Sequence, residues 1–459
     1  MRSLQVSWFP APSVSGTDLA MHHYGRRDGP PLIAVDRIEA QVGWLGLLRM
    51  RVSYVELEGL RIAIPPKGSN PPHRADKRRH PPSVPQIGRI VANGAQILII
   101  SRKPGKEPLK FDLHELTVTD VDMDRPMRYE AKLTNAKPPG LINSPGQFGP
   151  WNAEEPGATP LSGDYTFRNA DLSVFKGIGG HLSATGSLTG ELSRIQTKGI
   201  TETPDFVVNV SGLPVHLLTE YEAVVDGTDG DTYLTSVRGR FGETSVIARG
   251  AVEGTKGQKG KAVRLDVYSE KARIEDVLRL AVKSPEPLLK GPMYFSSKFL
   301  LPQGPDDVVA KLELDGKFGV AGSSFTGKVQ EKVDTLSRKG QGEPENTDID
   351  NVPANLRGDF RLRGGKLSLS GLSFQVPGAQ VFLNGSYGLK GEELDFDGRL
   401  LLDAPVSETT GGFKGMLLKV VDPLFARKRS KGSAVPIKIG GTRSHPRFGL
   451  DIEKTLTGK

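Results

Sequence analysis

Asp120, Asp122 and Asp124 alternate with single residues, the spacing that opens a calcium-binding loop. Such a loop needs glycine at its sixth position and a bidentate acid at its twelfth. Here those positions are Arg125, with Pro126 after it, and Ala131. The calcium reading fails and a strand edge is expected. Asp226, Asp229 and Asp231, interleaved with Gly227 and Gly230, form a better but still weak candidate, and Asp-Gly clusters of this kind are usually hairpin turns. The run from Phe175 to Gly180 has glycines but no Gly-Lys-Ser/Thr ending and no helix signal after it, so it is not a phosphate loop. No Gly-x-Ser-x-Gly stands between strand and helix. The 8 histidines keep no metal spacing, and His22 and His23 are read as surface. With 0 cysteines, disulfides and thiolate metal sites are excluded. No catalytic residue, metal ligand or cofactor site is expected, and the chain reads as a non-enzyme.

The elements that would have to position any site are strands. Among 459 residues there are 55 glycines and 34 prolines, with 37% apolar residues, a composition that favours many short strands over long helices. From Leu356 to Asp403 the alternation is regular. Leu356, Phe360 and Leu362 share one parity, with Arg357, Asp359, Arg361 and Arg363 on the other. Leu394, Phe396, Leu400 and Leu402 repeat this against Asp395, Asp397 and Arg399. Gly364-Gly365, Pro377-Gly378 and Gly391 stand where the chain must turn back. A meander of antiparallel strands with one apolar and one wet face is expected. Hairpins at 114–140, 233–254 and 366–391 echo one another without a fixed period.

Elsewhere the sequence predicts strands over 34–40, 52–64 (with a bulge at Gly59), 88–100, 109–122, 127–135, most of 161–300, 310–320, and two closing strands joined by a turn at 442–445. Amphipathic helices are expected at 271–283, where Ile274, Val277, Leu278 and Ala281 share a face, at 326–339, and at 406–425, with a short apolar helical turn at 42–48. Residues 141–160 read as a Pro- and Gly-rich insertion. The organisation expected is an N-terminal β/α unit at 1–65, a basic Pro-rich linker at 66–85, a middle β region at 86–300 and a C-terminal domain at 301–459.

The net charge is +8. Its excess gathers at 73–80 and at Arg427–Lys431. Aromatic residues are not interleaved with either cluster, so nucleic acid is not an expected partner. No apolar run of about 18 residues is present, and Met1–Gly16 does not read as a signal peptide. About 25 strands spaced about 4.8 Å apart make a sheet on the order of 120 Å long, which must twist and curl. Its apolar face is either an open trough or the inside of ordinary sandwiches, and alternation alone does not choose between them.

The segments GGKLSLSGLSFQVPGAQVFLNGSYGL, ELDFDGRLLLD and VPIKIGGTRSHPRFGLDI resemble the C-terminal unit of the AsmA family. PDFVVNVSG, VDGTDGDTYL and FLLPQGPDDVVAKLELDGKF are similar to large AsmA-like proteins, and VSYVELEGLRIAIP to the family's first unit. The resemblance implies a β-groove that holds or conducts phospholipid acyl chains. It implies a periplasmic location with an inner-membrane anchor helix ahead of the region matched by SWFPAPSVSGTDLAM, absent from this sequence. It also implies a part in outer-membrane biogenesis. The expected partners are phospholipid or another acyl-chain lipid, the bacterial membranes and other envelope proteins.

The groove lining is expected at Leu356, Phe360, Leu362, Leu367, Leu369, Leu394, Phe396, Leu400, Leu402, Ile437 and Ile439. A membrane-surface contact is expected at Phe413, Leu417, Arg427, Lys428, Arg429 and Lys431. The alternative function is a scaffold that assists outer-membrane protein assembly without lipid transfer. A polysaccharide-acting enzyme fits poorly, because aromatics make up only 7% of the chain and are scattered.

Overall fold

The computed structural model describes residues 3–9, 12–22, 30–44, 51–66, 86–101, 108–255, 258, 260–343, 351–403 and 434–449. They form one sheet of 26 strands, laid down almost entirely in chain order. The first are β1 (Ser3–Ser7), β2 (Ser13–Met21), β3 (Ile33–Gln41), β4 (Arg51–Glu58), β5 (Arg61–Ile64), β6 (Gln86–Ile99), β7 (Leu109–Val121), β8 (Met127–Ala136) and β9 (Pro139–Phe148). The middle holds β10 (Leu161–Asp171), the two-residue β11 (Ile178–Gly179), β12 (His181–Glu191), β13 (Arg194–Val208), β14 (Val215–Val225), β15 (Thr232–Phe241), β16 (Thr244–Glu253) and β17 (Ala262–Arg273). The last are β18 (Leu289–Lys290), β19 (Pro292–Leu301), β20 (Glu313–Phe325), β21 (Ala354–Arg363), β22 (Lys366–Val376), β23 (Ala379–Gly388), β24 (Glu393–Leu402), β25 (Ala434–Thr442) and β26 (His445–Gly449). The expected boundary at 300/301 falls inside β19, just before its last residue, and β19 pairs with β20 from Met293 opposite Val320 to Leu300 opposite Glu313.

The C-terminal meander forms as its alternation predicts, with turns at Gly364-Gly365 and Pro377-Gly378. Gly364, Gly365 and Gly378 all adopt the positive φ that a side chain resists. Four expectations need correction. The sheet is mixed, not wholly antiparallel: β6 runs parallel to β4 and β5, which are two collinear strands rather than one bulged strand. The break is at Gly59, φ +64°, where the Asp36 carboxylate occupies the space a Cβ would need and pairs with Arg61. Residues 141–148 are not an insertion but most of β9, whose alternation is masked by its glycines and prolines. Ala310–Leu312 is not strand. The helical turn α2 (Val308–Lys311) holds it, capped by Asp307, whose carboxylate accepts from the Val309 and Ala310 amides.

Two amphipathic helices form where predicted, α1 (Ile274–Ala281) and α3 (Lys328–Gln341). Both emerge at the same end of the strands, here the helix rim, and both cover the apolar face there. Ile274 of α1 joins Ala272, Leu289, Met293 and Val320, while Val333 of α3 joins Ala354, Val376, Ala379, Val381, Leu400 and Leu402. A third core, around Val35, Val55, Leu57, Ala92, Ala95 and Leu113, lies under the mixed part of the sheet. Glu275 ties α1 down. Burial works to raise its pKa, but the Gly291 amide and the Arg273 side chain outweigh this and leave the carboxyl below its usual value. The expected linker at 66–85, apart from its first residue, and the helix at 406–425 lie outside the described residues, as does most of the helical turn at 42–48.

The sheet curls. The loop between β10 and β12, at the helix rim, gives the Lys176 carbonyl to the Val308 amide at 2.7 Å. Val308 belongs to the loop between β19 and β20, at the opposite rim, and seven strands, β12 to β17 and β19, lie between the two loops. Lys283, after α1, accepts from Arg443 in the β25–β26 turn, again with seven strands between. A Cβ on Gly230, between β14 and β15, would sit 3.7 Å from Leu109 at the start of β7, with the same interval. Seven strands span about 34 Å along a flat sheet. Opposite strand ends can meet across that distance only if the sheet winds round, bringing one rim against the other along a seam.

Candidate functional site

Strand registers place an unbroken line of side chains along one face. It runs Val14, Ala40, Val55, Ile90, Val118, Tyr129, Gly146, Gly163, Leu188, Thr197, Ala223, Leu234, Gly250, Leu265, Phe299, Leu314, Leu362, Leu367, Tyr387 and Leu394. Thr197 is the only member that is neither apolar, aromatic nor glycine. Every member is buried or half-buried. One residue along, from β17 to β24, the opposite face presents Asp266, Lys298, Asp315, Arg361, Ser368 and Asp395, all exposed, with a buried Ser386 between the last two. That face is held by cross-strand ion pairs such as Arg361–Asp315 at 3.0 Å and Arg363–Glu313 at 3.4 Å. From β17 to β24 the two faces therefore differ in chemistry and in shelter.

A second line, two residues along on the same face, runs Tyr165, Gly186, Gly199, Tyr221, Val237, Ala248, Val267, Ser297, Gly316, Phe360, Leu369, Gly385, Phe396 and Ile439. Large rings alternate with glycines in it. A Cβ on Gly316 would lie 2.7 Å from the Phe360 ring, and one on Gly385 2.6 Å from that of Phe396. Each ring thus lies flat over a bare backbone. Tyr165 and Tyr221 reach toward each other over Gly186 and Gly199, and their hydroxyls meet there in a hydrogen bond. Burial raises the pKa of Tyr165. At the two phenylalanine crossings, Gly316 and Gly385, the rings lie low on the sheet instead of standing up from it.

All eleven expected lining residues fall on this face: Leu362, Leu367 and Leu394 in the first line, Phe360, Leu369, Phe396 and Ile439 in the second, and Leu356, Leu400, Leu402 and Ile437 nearer the helix rim. Nine of them separate into two environments, while Leu362 and Phe396 are buried within the lines themselves, 4% and 7% exposed. Leu356, Phe360, Leu367, Leu369, Leu394, Ile437 and Ile439 are half-buried. Leu400 and Leu402 are 5% and 4% exposed and packed into the core beneath α3, so they seal the rim rather than line open surface. The membrane-contact candidates Phe413, Leu417, Arg427, Lys428, Arg429 and Lys431 lie outside the described residues. The N-terminal and middle members of both lines were not singled out by sequence, since their strands carry glycine, serine and threonine among the apolar residues.

The rejected ligand motifs take up structural roles. Asp226 accepts from the amide and hydroxyl of Thr228, Asp229 from the Asp231 amide, and Asp231 from the Gly254 amide and Lys261 Nζ. This is a self-satisfied turn. Asp122 accepts from the Asp124 amide and Asp120 pairs with Arg128, at the end of β7. Among the described residues no group of three or more His, Asp or Glu could hold a metal ion. An open depression of about 1310 Å³ on the charged face is lined by Arg249, Asp266, Lys298, Asp315 and Arg361 among others, with Arg361 paired to Asp315 and Arg363 to Glu313 in its wall. No helix among the described residues is long and apolar enough to cross a membrane. No protein-family model, curated protein or solved structure matches the chain.

Proposed function

We propose that this protein holds or conducts acyl-chain lipid, phospholipid above all, along the sheltered face of its curled sheet. The carrying observation is the continuous line from Val14 to Leu394, apolar but for one threonine and half-buried rather than filled for most of its length. Two packed sandwiches would bury both inner faces against each other. Here one sheet winds on itself, and the only helices over its apolar face among the described residues sit at one rim. Burying apolar surface yields about 25 cal/mol per Å², so a hydrocarbon chain laid on this face gains affinity with length and with little regard to headgroup. The resemblance of the C-terminal strands to the AsmA family supports the same reading, with a periplasmic location and a role in outer-membrane biogenesis as parts of the proposal.

The test is lipid extraction from the purified protein followed by mass spectrometry, with a fluorescent phospholipid binding assay alongside. Bound phospholipid that is lost in Leu367→Asp and Phe360→Asp but kept in Asp315→Asn supports the reading. A lipid-free protein that binds no fluorescent phospholipid overturns it and leaves the scaffold role.

A further inference from the structure

The first apolar line does not stop inside the sheet. It runs out to the sheet's first strand, where Val6 stands opposite Val14, and Leu4, two residues back on the same face, stands opposite Gly16. There the shelter fails: Leu4 is 60% exposed and Val6 50%, followed by Trp8 at 59% and Phe9 at 87%. Among the described residues no strand pairs with the outer side of β1. Proteins usually blunt such an edge with charge, proline or a bulge. The far edge, β26, is blunted: its five residues include Pro446 and Arg447. The five residues of β1, Ser-Leu-Gln-Val-Ser, contain none of these devices.

The same five residues read nearly alike in both directions. An antiparallel strand pair about a two-fold axis through Gln5 sets Ser3 against Ser7, Leu4 against Val6 and Gln5 against Gln5 of the second copy. An axis perpendicular to the sheet keeps both apolar faces on the same side, so the first line of one copy continues into that of the other. We propose that β1 is a homodimerisation strand, its occupant a second copy of this chain in that register. Five residues form a short pairing, so the dimer is weak and concentration-dependent. This inference rests on the edge and its sequence and does not require that the face carry lipid.

The chain has no cysteine, so Gln5→Cys introduces a single thiol. In the proposed register the two Cα atoms at position 5 lie about 4.5–5.5 Å apart, within disulfide reach. Those at position 7 are offset by four residues, about 13 Å, and out of reach. Gln5→Cys is therefore expected to give a covalent dimer on mild oxidation, and Ser7→Cys none. In sedimentation velocity the unmodified chain should shift from monomer to dimer with rising concentration. Leu4→Lys/Val6→Lys and Leu4→Glu/Val6→Glu should each remain monomeric, and their mixture should regain the dimer; unchanged circular dichroism shows that each variant is folded. A chain that is monomeric at every concentration with no Gln5→Cys cross-link overturns the proposal. So does equal cross-linking of both cysteine variants, or growth into open-ended chains, which would mean β1 meeting β26.

Discussion

The Arg443 guanidinium donates to the Lys283 carbonyl at 3.0 Å, across 160 residues of sequence and seven strands of sheet. Its aim is held by Glu392, which it also pairs with at 3.0 Å, both side chains about one-quarter exposed. This contact is one of the points where one rim meets the other. Arg443→Ala removes both bonds and leaves the sheet registers intact. The expected outcome is a wider, broader distance distribution between spin labels at Ser284 and Ser444, with a stability loss of no more than about 1 kcal/mol. An unchanged distribution would mean that the seam is held elsewhere.

The rings lying over glycines make a second prediction. Valine at Gly385 would put its Cβ against the Phe396 ring and the Asp395 carbonyl, and valine at Gly316 would meet the Phe360 ring and the Ser296 carbonyl. Each ring would be forced upright into the sheltered space. Each variant is expected to lose about 1–3 kcal/mol in denaturant unfolding and to bind less fluorescent phospholipid. Valine at Gly364, which nothing approaches within 4 Å, serves as a comparison in which only backbone strain acts.

How far the sequence could carry this is seen best by setting β21 beside β9. In β21 leucine and phenylalanine alternate with arginine and aspartate, so strand, face and turn are all legible. In β9 the residues are Pro-Gly-Leu-Ile-Asn-Ser-Pro-Gly-Gln-Phe, and local preference points to a loop. Pairing with β8 and β10 on both sides overrides it. The parallel step from β5 to β6 was equally hidden, since the alternation of a strand says nothing of its neighbour's direction. The curl was expected on general grounds, but the interval of seven strands depends on loops whose partners are more than a hundred residues away. The lining was legible residue by residue only where large apolar side chains mark it. Where glycine and tyrosine share the work, as at Gly186 and Tyr165, only the register reveals the line.

The core beneath α3 separates stability from cargo. Leu400 is 5% exposed and packs with Val333, Val381 and Leu402. Leu400→Ala is expected to cost about 2–5 kcal/mol and to lower the thermal midpoint without altering which lipids co-purify. Leu367→Ala, at a half-buried position in the first line, is expected to cost less in unfolding and more in fluorescent-phospholipid affinity. Equal effects of the two substitutions on both measurements would remove the distinction between rim and lining.

His181 and Asp205 join the helix-rim ends of β12 and β13 on the exposed side. Asp205 accepts from the His181 amide at 2.7 Å and from its ring Nδ1 at 2.8 Å. The ring's hydrogen bond to the carboxylate and their attraction raise the His181 pKa above 6.5, while the His181 amide and ring hold that of Asp205 below 3.8. The raised histidine contributes stability that is full below its ordinary value and fades as pH rises through the folded one. The depressed aspartate contributes above its ordinary value and fades as pH falls through the folded one. The pair therefore acts most strongly in mildly acidic solution, between those two ordinary values. Both groups face solvent, so the expected change in thermal midpoint is small, and the sharper measurement is an NMR titration of the His181 ring. Asp205→Asn should bring its pKa down toward the ordinary value. An unchanged titration midpoint would show that the carboxylate is not its partner in solution.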